Sequence, residues 1–286
     1  VSTNSITQGE QVGILWSELL RCGVKIHFAH RTFSWSNEAR GKAAVHCVII
    51  GFALHDTERK IIYDYEHIKG EAHAVEARNI NPYIVDASDI VLEKRTKPIC
   101  LVPEMKFGNQ PIDGGNLLFT AEEKANFLSE APVASKYFRR FVGAEEFING
   151  IERWCLWLKN AQPEELRQIP AIMSRLEKVR QFRLSSKRPA TNALASTPTL
   201  FAFISHPDGR YLLVPSVSSE RRAYIPIGFM SPEVIASNLC LIIPHATLFH
   251  FGVISSAMHM AWMRAVAGRL KSDYRYSGSI VYNNFP

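Results

Sequence analysis

Apolar positions along the first fifty residues change period twice, and the changes predict the elements. Residues 1–6 read as the end of a strand. Residues 9–22 carry Val12, Leu15, Trp16, Leu19 and Leu20 at helical spacing, and Gly23 stops that helix. A strand over 24–30 follows, then a polar loop over 31–43, then an apolar run over 44–54 that suits a sheet interior. Two strands joined without a crossover helix predict an antiparallel pair. Residues 55–97 are polar and without strong period, a connector with one or two short strands. Residues 98–128 hold Pro98, Pro103, Pro111 and Gly114-Gly115, which is loop chemistry. A domain boundary is expected near residue 95. From residue 133 aromatic and basic residues interleave, and a helical basic stretch runs to 188. Short β-like runs at 200–204, 211–214, 223–226 and 239–243 come next. A helix then follows Ser255-Ser256, with Met258, Ala261, Trp262, Ala265 and Val266 expected on one face. No repeat or low-complexity tract occurs.

Composition narrows the class. With 286 residues, 47% hydrophobic and 21% charged, the chain is globular, which sets aside disordered, collagenous and coiled-coil readings. Five cysteines, none in C-x-x-C spacing, argue against a disulfide framework or zinc ribbon and suit a reducing cytoplasm. The longest apolar stretch, 239–260, is broken by Pro244, His245 and His250, so no membrane span is expected. The chain opens on Val1 with no leader pattern, which suggests an excised fragment. A net charge of +6 is concentrated: residues 167–188 hold seven Lys and Arg against the single Glu177.

Several constellations invite chemistry. The segment 31–42 sets Phe33 and Trp35 among Arg31, Arg40 and Lys42. It reads either as rings that stack on an extruded base with cations facing phosphates, or as an aromatic anchor for a loop. Asp89, Glu104 and Lys106 imitate the Asp…Glu-x-Lys pattern of metal-dependent nucleases, a rival reading of the whole chain. A non-catalytic interaction module is a second rival. His27, His30 and His46 alternate with apolar residues as core or edge histidines do, and His245, His250 and His259 lack zinc spacing. No metal is expected.

Four runs carry a resemblance: V-S-T-N-S-I-T-Q-G-E-Q-V at 1–12, H-F-A-H-R-T-F-S-W-S-N-E-A-R-G-K-A-A-V-H at 27–46, R-R-F-V-G-A-E-E-F-I-N-G-I-E-R-W-C-L-W-L at 139–158, and Y-R-Y-S-G-S-I-V-Y-N-N-F-P at 274–286. The chain resembles the MmeI-like family of restriction-modification DNA methyltransferases, which methylate adenine N6 with S-adenosylmethionine. The resemblance implies α/β plus α+β architecture: the last strands of a class I, Rossmann-like methyltransferase sheet over 1–95, then a mixed α+β target-recognition domain over 96–286. It places Asn4 and Ser5 at the lip of the active site and Phe33 or Trp35, with a slight preference for Phe33, against the flipped base. The Gly-rich cofactor turn and the Asn-Pro-Pro-aromatic motif are absent; Asn81-Pro82-Tyr83 is one proline short and falls after the last strands. S-adenosylmethionine is therefore expected in the full-length parent and not in this chain.

By the same implication the chain meets duplex DNA rather than RNA. Phosphate candidates are Arg139, Arg140, Lys187 and Arg188, with Arg264, Arg269, Lys271 and Arg275 weaker. Base readers are sought in Ser218, Ser219, Glu220, Arg221 and Arg222, whose competing reading is a solvated turn with a surface ion pair; His245, Thr247 and His250 are a second choice. Other partners expected are the missing methyltransferase segment of the same polypeptide and a second copy, paired through the exposed face of the shortened sheet.

Overall fold

The computed structural model describes residues 1–35, 45–270 and 272–286. In chain order the elements are β1 (Ser2–Thr3), α1 (Glu10–Arg21), β2 (Lys25–Trp35), β3 (Val45–Ala53), β4 (Lys60–Tyr65), β5 (Ala72–Ala77), β6 (Lys106–Phe107), β7 (Leu118–Thr120), α2 (Ala121–Glu130), β8 (Phe138–Val142), α3 (Ala144–Asn149), β9 (Arg153–Leu156), α4 (Pro163–Arg167), α5 (Pro170–Leu184), α6 (Pro189–Ala193), β10 (Tyr211–Pro215), β11 (Val217–Ser218), β12 (Gly228–Met230), β13 (Val234–Ala236), β14 (Cys240–Pro244), α7 (Leu248–Ile254), α8 (Ala257–Val266), β15 (Gly268–Leu270) and β16 (Asp273–Arg275). They form two compact units: Val1–Val102 with Val217–Tyr224 and Ile254–Pro286, and Pro103–Ser216 with Ile225–Val253.

The first unit holds a five-stranded sheet in the order β1-β3-β2-β4-β5. Helix α1 buries Val12 and Trp16, one turn apart, and the Trp16 indole N–H donates to the Ile6 carbonyl at 2.9 Å. Gly23 at φ +81 ends the helix, its N–H returning to the Leu20 carbonyl. Strands β2 and β3 are antiparallel as the pattern predicts, and the apolar run over 44–54 becomes β3. Two expectations change. The opening strand is only Ser2–Thr3, because residues 4–7 close into a 3₁₀ turn in which the Thr7 hydroxyl donates to the Asn4 carbonyl. The expected loop does not start at 31: bulges at 26/28 and 30/33 let β2 continue to Trp35. A ring ladder carries it, with His30 stacked on Tyr63 at 4.2 Å and Phe33 on Tyr65 at 5.6 Å.

A three-stranded sheet, β11-β16-β15, completes this unit. Ser256 caps α8 by accepting the His259 N–H, as the Ser-Ser signal suggests. The buried face differs from the expected one: His259, Met260, Met263 and Val266 point inward and Met258 is exposed. The reason is a polar contact invisible to apolar spacing, His259 Nε2 lying 2.8 Å from the buried Tyr276 hydroxyl.

The second unit holds two four-stranded sheets, β12-β10-β14-β6 and β13-β8-β9-β7. The stretch read as loop to 128 contains α2, entered through a reciprocal cap in which Thr120 and Glu123 each accept the other's backbone N–H. Of the β-like runs, 211–214 and 239–243 fall in strands β10 and β14, whereas 200–204 and 223–226 form none. Asn109, fully buried, bonds five ways: its amide donates to the Ala236 carbonyl, its side-chain oxygen accepts from the Ser205 and His206 N–H groups, its backbone N–H also reaches Ala236, and its backbone carbonyl accepts the Asn238 N–H. Arg183, likewise fully buried, has no carboxylate within ion-pair distance among the described residues; its guanidinium donates to five carbonyls, those of Pro111, Ile112, Leu194, Thr197 and Leu200, all at 2.8–2.9 Å. A guanidinium has five N–H donors, so every one is spent.

All five cysteines are free thiols. Among the described residues no helix is long and apolar enough to cross a membrane.

Arg183→Met leaves five carbonyls around a buried site without their donor and is expected to lower stability by about 3 kcal/mol or more, with Arg183→Lys recovering only part because lysine offers fewer donors. Urea unfolding checks this, and a loss under about 1 kcal/mol contradicts it. His259 generates a second expectation. Burial pulls its pKa from 6.5 down to about 4, so as pH falls the unfolded chain takes up this proton first. The stability given by the neutral ring is complete above about 6.5 and lost progressively toward pH 4, by roughly 1.4 kcal/mol per unit. The melting temperature should fall more steeply below pH 6.5 in the unaltered protein than in His259→Gln; parallel slopes refute the assignment.

Candidate nucleic-acid interface

The first unit contains a cleft of about 460 Å³ lined by Asn4, Gln8, Arg31, Tyr83, Glu220, Arg264 and Arg269 among others. Its floor is the 3₁₀ turn before α1, which sets Asn4 and Gln8 on either side of Thr32; both amides reach the Thr32 hydroxyl at 3.5 Å. The bulge at 30/33 brings Arg31 and Thr32 to the cleft. Arg31 is held from two directions: Nη1 meets Asp64 at 2.6 Å and Nε donates to the Ile84 carbonyl at 3.2 Å. Three of its five donors remain. Ile84 offers that carbonyl from a left-handed backbone, φ +55, inside a turn whose N–H groups at Tyr83 and Val85 are captured by the Asn81 side chain. Asn81 is thus consumed in shaping a turn, and the Tyr83 hydroxyl accepts the Leu92 N–H.

On the other wall, Ser219 organises the tract that follows β11. Its carbonyl accepts the Arg222 N–H and its hydroxyl the Arg221 N–H. The Glu220 carboxylate does not pair with its basic neighbours but faces Arg269 at 3.9 Å. Among the described residues no carboxylate lies within ion-pair reach of Arg221 or Arg222. Arg264 donates to the Ala223 carbonyl and otherwise has open donors. Among the described residues, three guanidinium groups thus line the cleft with one carboxylate, that of Glu220.

The remaining predicted residues scatter. Ser5 is exposed beside the cleft-lining Asn4, its hydroxyl 2.9 Å from that of Thr3. Phe33 is packed into the ring ladder, whereas Trp35 is 49% exposed. Arg40, Lys42 and Lys271 lie outside the described residues. In the second unit Arg139 pairs with Glu233 at 3.1 Å, and Arg140 pairs with Glu152 and leans over Trp154. Lys187 and Arg188 are exposed at the start of α6 with no ion pair among the described residues. Asp89 is committed to Lys25 and Asn79 in the first unit, and Glu104 and Lys106 belong to the second. Among the described residues no group of three His, Cys, Asp or Glu side chains is placed to hold a metal. Sequence reading missed Gln8, Thr32, Tyr83 and Ile84. Thr32 sat in plain view between Arg31 and Phe33; nothing in the chain announces the turn at Ile84.

The glycines do not form a cofactor cradle. A Cβ on Gly9 would lie 3.2 Å from the Gly268 Cα, and one on Gly114 would meet the Phe182 ring at 2.8 Å, so both turns are filled by protein. Neither of these two turns fits S-adenosylmethionine.

Comparison with known proteins fits this division of labour. Residues 86–286 match the family described as MmeI, target recognition domain, and residues 1–64 match MmeI, DNA-methyltransferase domain. DNA methyltransferase A of Bacillus subtilis (strain 168) is 45% identical over all 286 residues, which cover 32% of its length. The solved structure of the type IIL restriction-modification enzyme MmeI in complex with DNA superposes with a TM-score of 0.93 at 57% identity, over 99% of this chain and 38% of that one. The chain thus spans about a third of the length of these relatives. One family match is to a target recognition domain and the other to a DNA-methyltransferase domain, and none of the matches supports the nuclease reading of Asp89, Glu104 and Lys106. Residues 217–224 and 254–286 match the recognition family yet fold into the same compact unit as the methyltransferase-matched residues 1–64. The chain belongs to the MmeI family of restriction-modification DNA methyltransferases and carries both methyltransferase-domain sequence and the target recognition domain.

Proposed function

We propose that this chain supplies duplex-DNA recognition and the base-stacking ring of a sequence-specific adenine-N6 methyltransferase, and is catalytically incomplete alone. The functional division falls near residue 95: residues 1–95 end the methyltransferase domain and 96–286 recognise the target. The observation that carries this reading is the cleft in the first unit. It gathers Asn4 and Arg31 from the methyltransferase-matched segment and Glu220 from the recognition-matched one around a cationic wall. In that setting Ser219, Glu220, Arg221 and Arg222 read base edges, since a carboxylate and guanidinium groups on a firm turn suit bidentate contacts. Arg31, Arg40, Lys42, Lys187 and Arg188 face phosphates, with Arg139 and Arg140 available on exchanging their acidic partners. Trp35, the more exposed ring, suits an extruded base better than the packed Phe33, and Asn4 and Ser5 border the pocket that base enters. S-adenosylmethionine, when bound to the whole protein, supplies the methyl group; no step of that transfer is drawn through the residues described. Exposed apolar residues of the five-stranded sheet, Phe28, Phe52 and Val75, suit cover by the remaining methyltransferase segment, with a second copy as the rival occupant. A cytoplasmic location fits five free thiols.

Selection of bound duplexes from a randomised pool should enrich a short motif containing adenine, altered in Arg221→Ala, with affinity falling steeply as salt rises. Uniform weak retention that disappears with salt, in both proteins, overturns sequence reading by this turn; magnesium-dependent cleavage abolished by Glu104→Ala would revive the nuclease. For the stacking ring, a fluorescent adenine analogue at the target position should bind Trp35→Ala more weakly by about 1–3 kcal/mol and emit more brightly when bound. If Phe33→Ala has that effect instead, the roles of the two rings are exchanged.

A further inference from the structure

We infer that Arg269 is a positioning residue for the recognition turn, fixing the direction in which the Glu220 carboxylate faces DNA. The inference rests on the reading that Glu220 contacts a base edge.

The register of the small sheet sets up the arrangement. Tyr274 of β16 lies directly opposite Ser218 of β11 on one side and Arg269 of β15 on the other, so the three residues form one row. Glu220 follows two residues beyond Ser218, just after β11 ends. The Arg269 guanidinium lies over the Tyr274 ring at 3.8 Å and its Nη1 donates to the Ser272 carbonyl at 2.9 Å. A planar guanidinium stacked on a ring and bonded to a carbonyl has little freedom left. The same Nη1 stands 3.9 Å from Glu220 Oε2. The backbone of the turn is anchored in parallel, the Glu220 N–H donating to Asp273 at 3.4 Å. Only 21% of the Arg269 side chain is exposed, so its attraction for the carboxylate is less screened than at an open surface.

Two consequences follow from the charge. A carboxylate facing duplex DNA is repelled by the phosphates, and a fixed guanidinium behind it offsets that repulsion. With one oxygen turned to Arg269, the other is left to accept from an amino group, the contact a cytosine edge offers in the major groove. A mobile carboxylate would accept from many directions and discriminate poorly.

The test uses the full-length protein and duplexes carrying each base in turn at every position of the selected motif. Glu220→Gln and Arg269→Gln should relax discrimination at the same position, by about fivefold or more, and the double variant should lose no more than Glu220→Gln alone. Arg269→Lys, which keeps the charge without the planar stack, should fall between. If Arg269→Gln lowers affinity equally for every duplex and reduces the salt slope by about one, Arg269 is a phosphate contact and the inference is overturned. If Glu220→Gln relaxes a position that Arg269→Gln leaves untouched, positioning fails while base reading stands. If Glu220→Gln alters no position, both fail together.

Discussion

A two-residue strand closes the architecture around the cleft. The pairing of Val217 and Ser218 with Arg275 and Tyr274 joins a short excursion of the chain to its final segment, and without it Glu220 would have no place beside Arg31 and Asn4. The chain leaves the first unit at residue 102, returns for eight residues at Val217–Tyr224, leaves again, and comes back for good at Ile254. Short β pairings contribute little alone. This one persists because β16 is also held by β15, and because Ser218 and Tyr274 are both buried. Contacts so distant in sequence cost loop entropy, which the packing of α8 and the C-terminal turn around Tyr276 and Tyr282 must offset.

Charge in this protein is better understood by partner than by sum. The seven cations of residues 167–188 look like one electropositive stripe in sequence. In the structure Arg183 is buried under five carbonyls, Arg175 lies over the Phe119 ring at 4.4 Å, Arg180 pairs with Glu177, and Lys187 and Arg188 stay open. Arg139 and Arg140 carry acidic partners as well. A cation already paired must exchange that partner before it can meet a phosphate. In the cleft each guanidinium donates to a backbone carbonyl, which steers without neutralising, while Arg31 also meets Asp64 and Arg269 faces Glu220.

Legibility in the sequence tracks the range of the interaction. Helix α1 and the β2–β3 pair were readable because their signals are local: Val12 and Trp16 one turn apart, Gly23 as a stop, two apolar runs without a crossover helix. The cap at Thr120 and Glu123 was equally local and was masked by the Pro and Gly residues around it. What could not be read depends on distant partners. The extension of β2 to Trp35 needs Tyr63 and Tyr65 across the sheet, the inward turn of His259 needs Tyr276, and the burial of Arg183 needs carbonyls some seventy residues upstream. The tract proposed for recognition was singled out by its charged residues and its place between strand-like runs. The competing reading named a surface ion pair without its partner, and the partner, Arg269, lies some fifty residues away on β15.

Ile84 shows what such a cleft asks of its backbone. A β-branched residue at φ +55 sits in a region that glycine or asparagine occupies more comfortably, at a cost on the order of 1–3 kcal/mol. The strain aims one carbonyl at Arg31, while the Ile84 side chain, 2% exposed, fills the core beneath the sheet. The two demands cannot be separated by substitution, since a residue that relaxes the backbone empties the core, and one that keeps the core keeps the strain. Thermal stability and the aim of the Arg31 side chain therefore draw on the same residue, and drift toward a sturdier protein at this position runs against the geometry of the cleft wall.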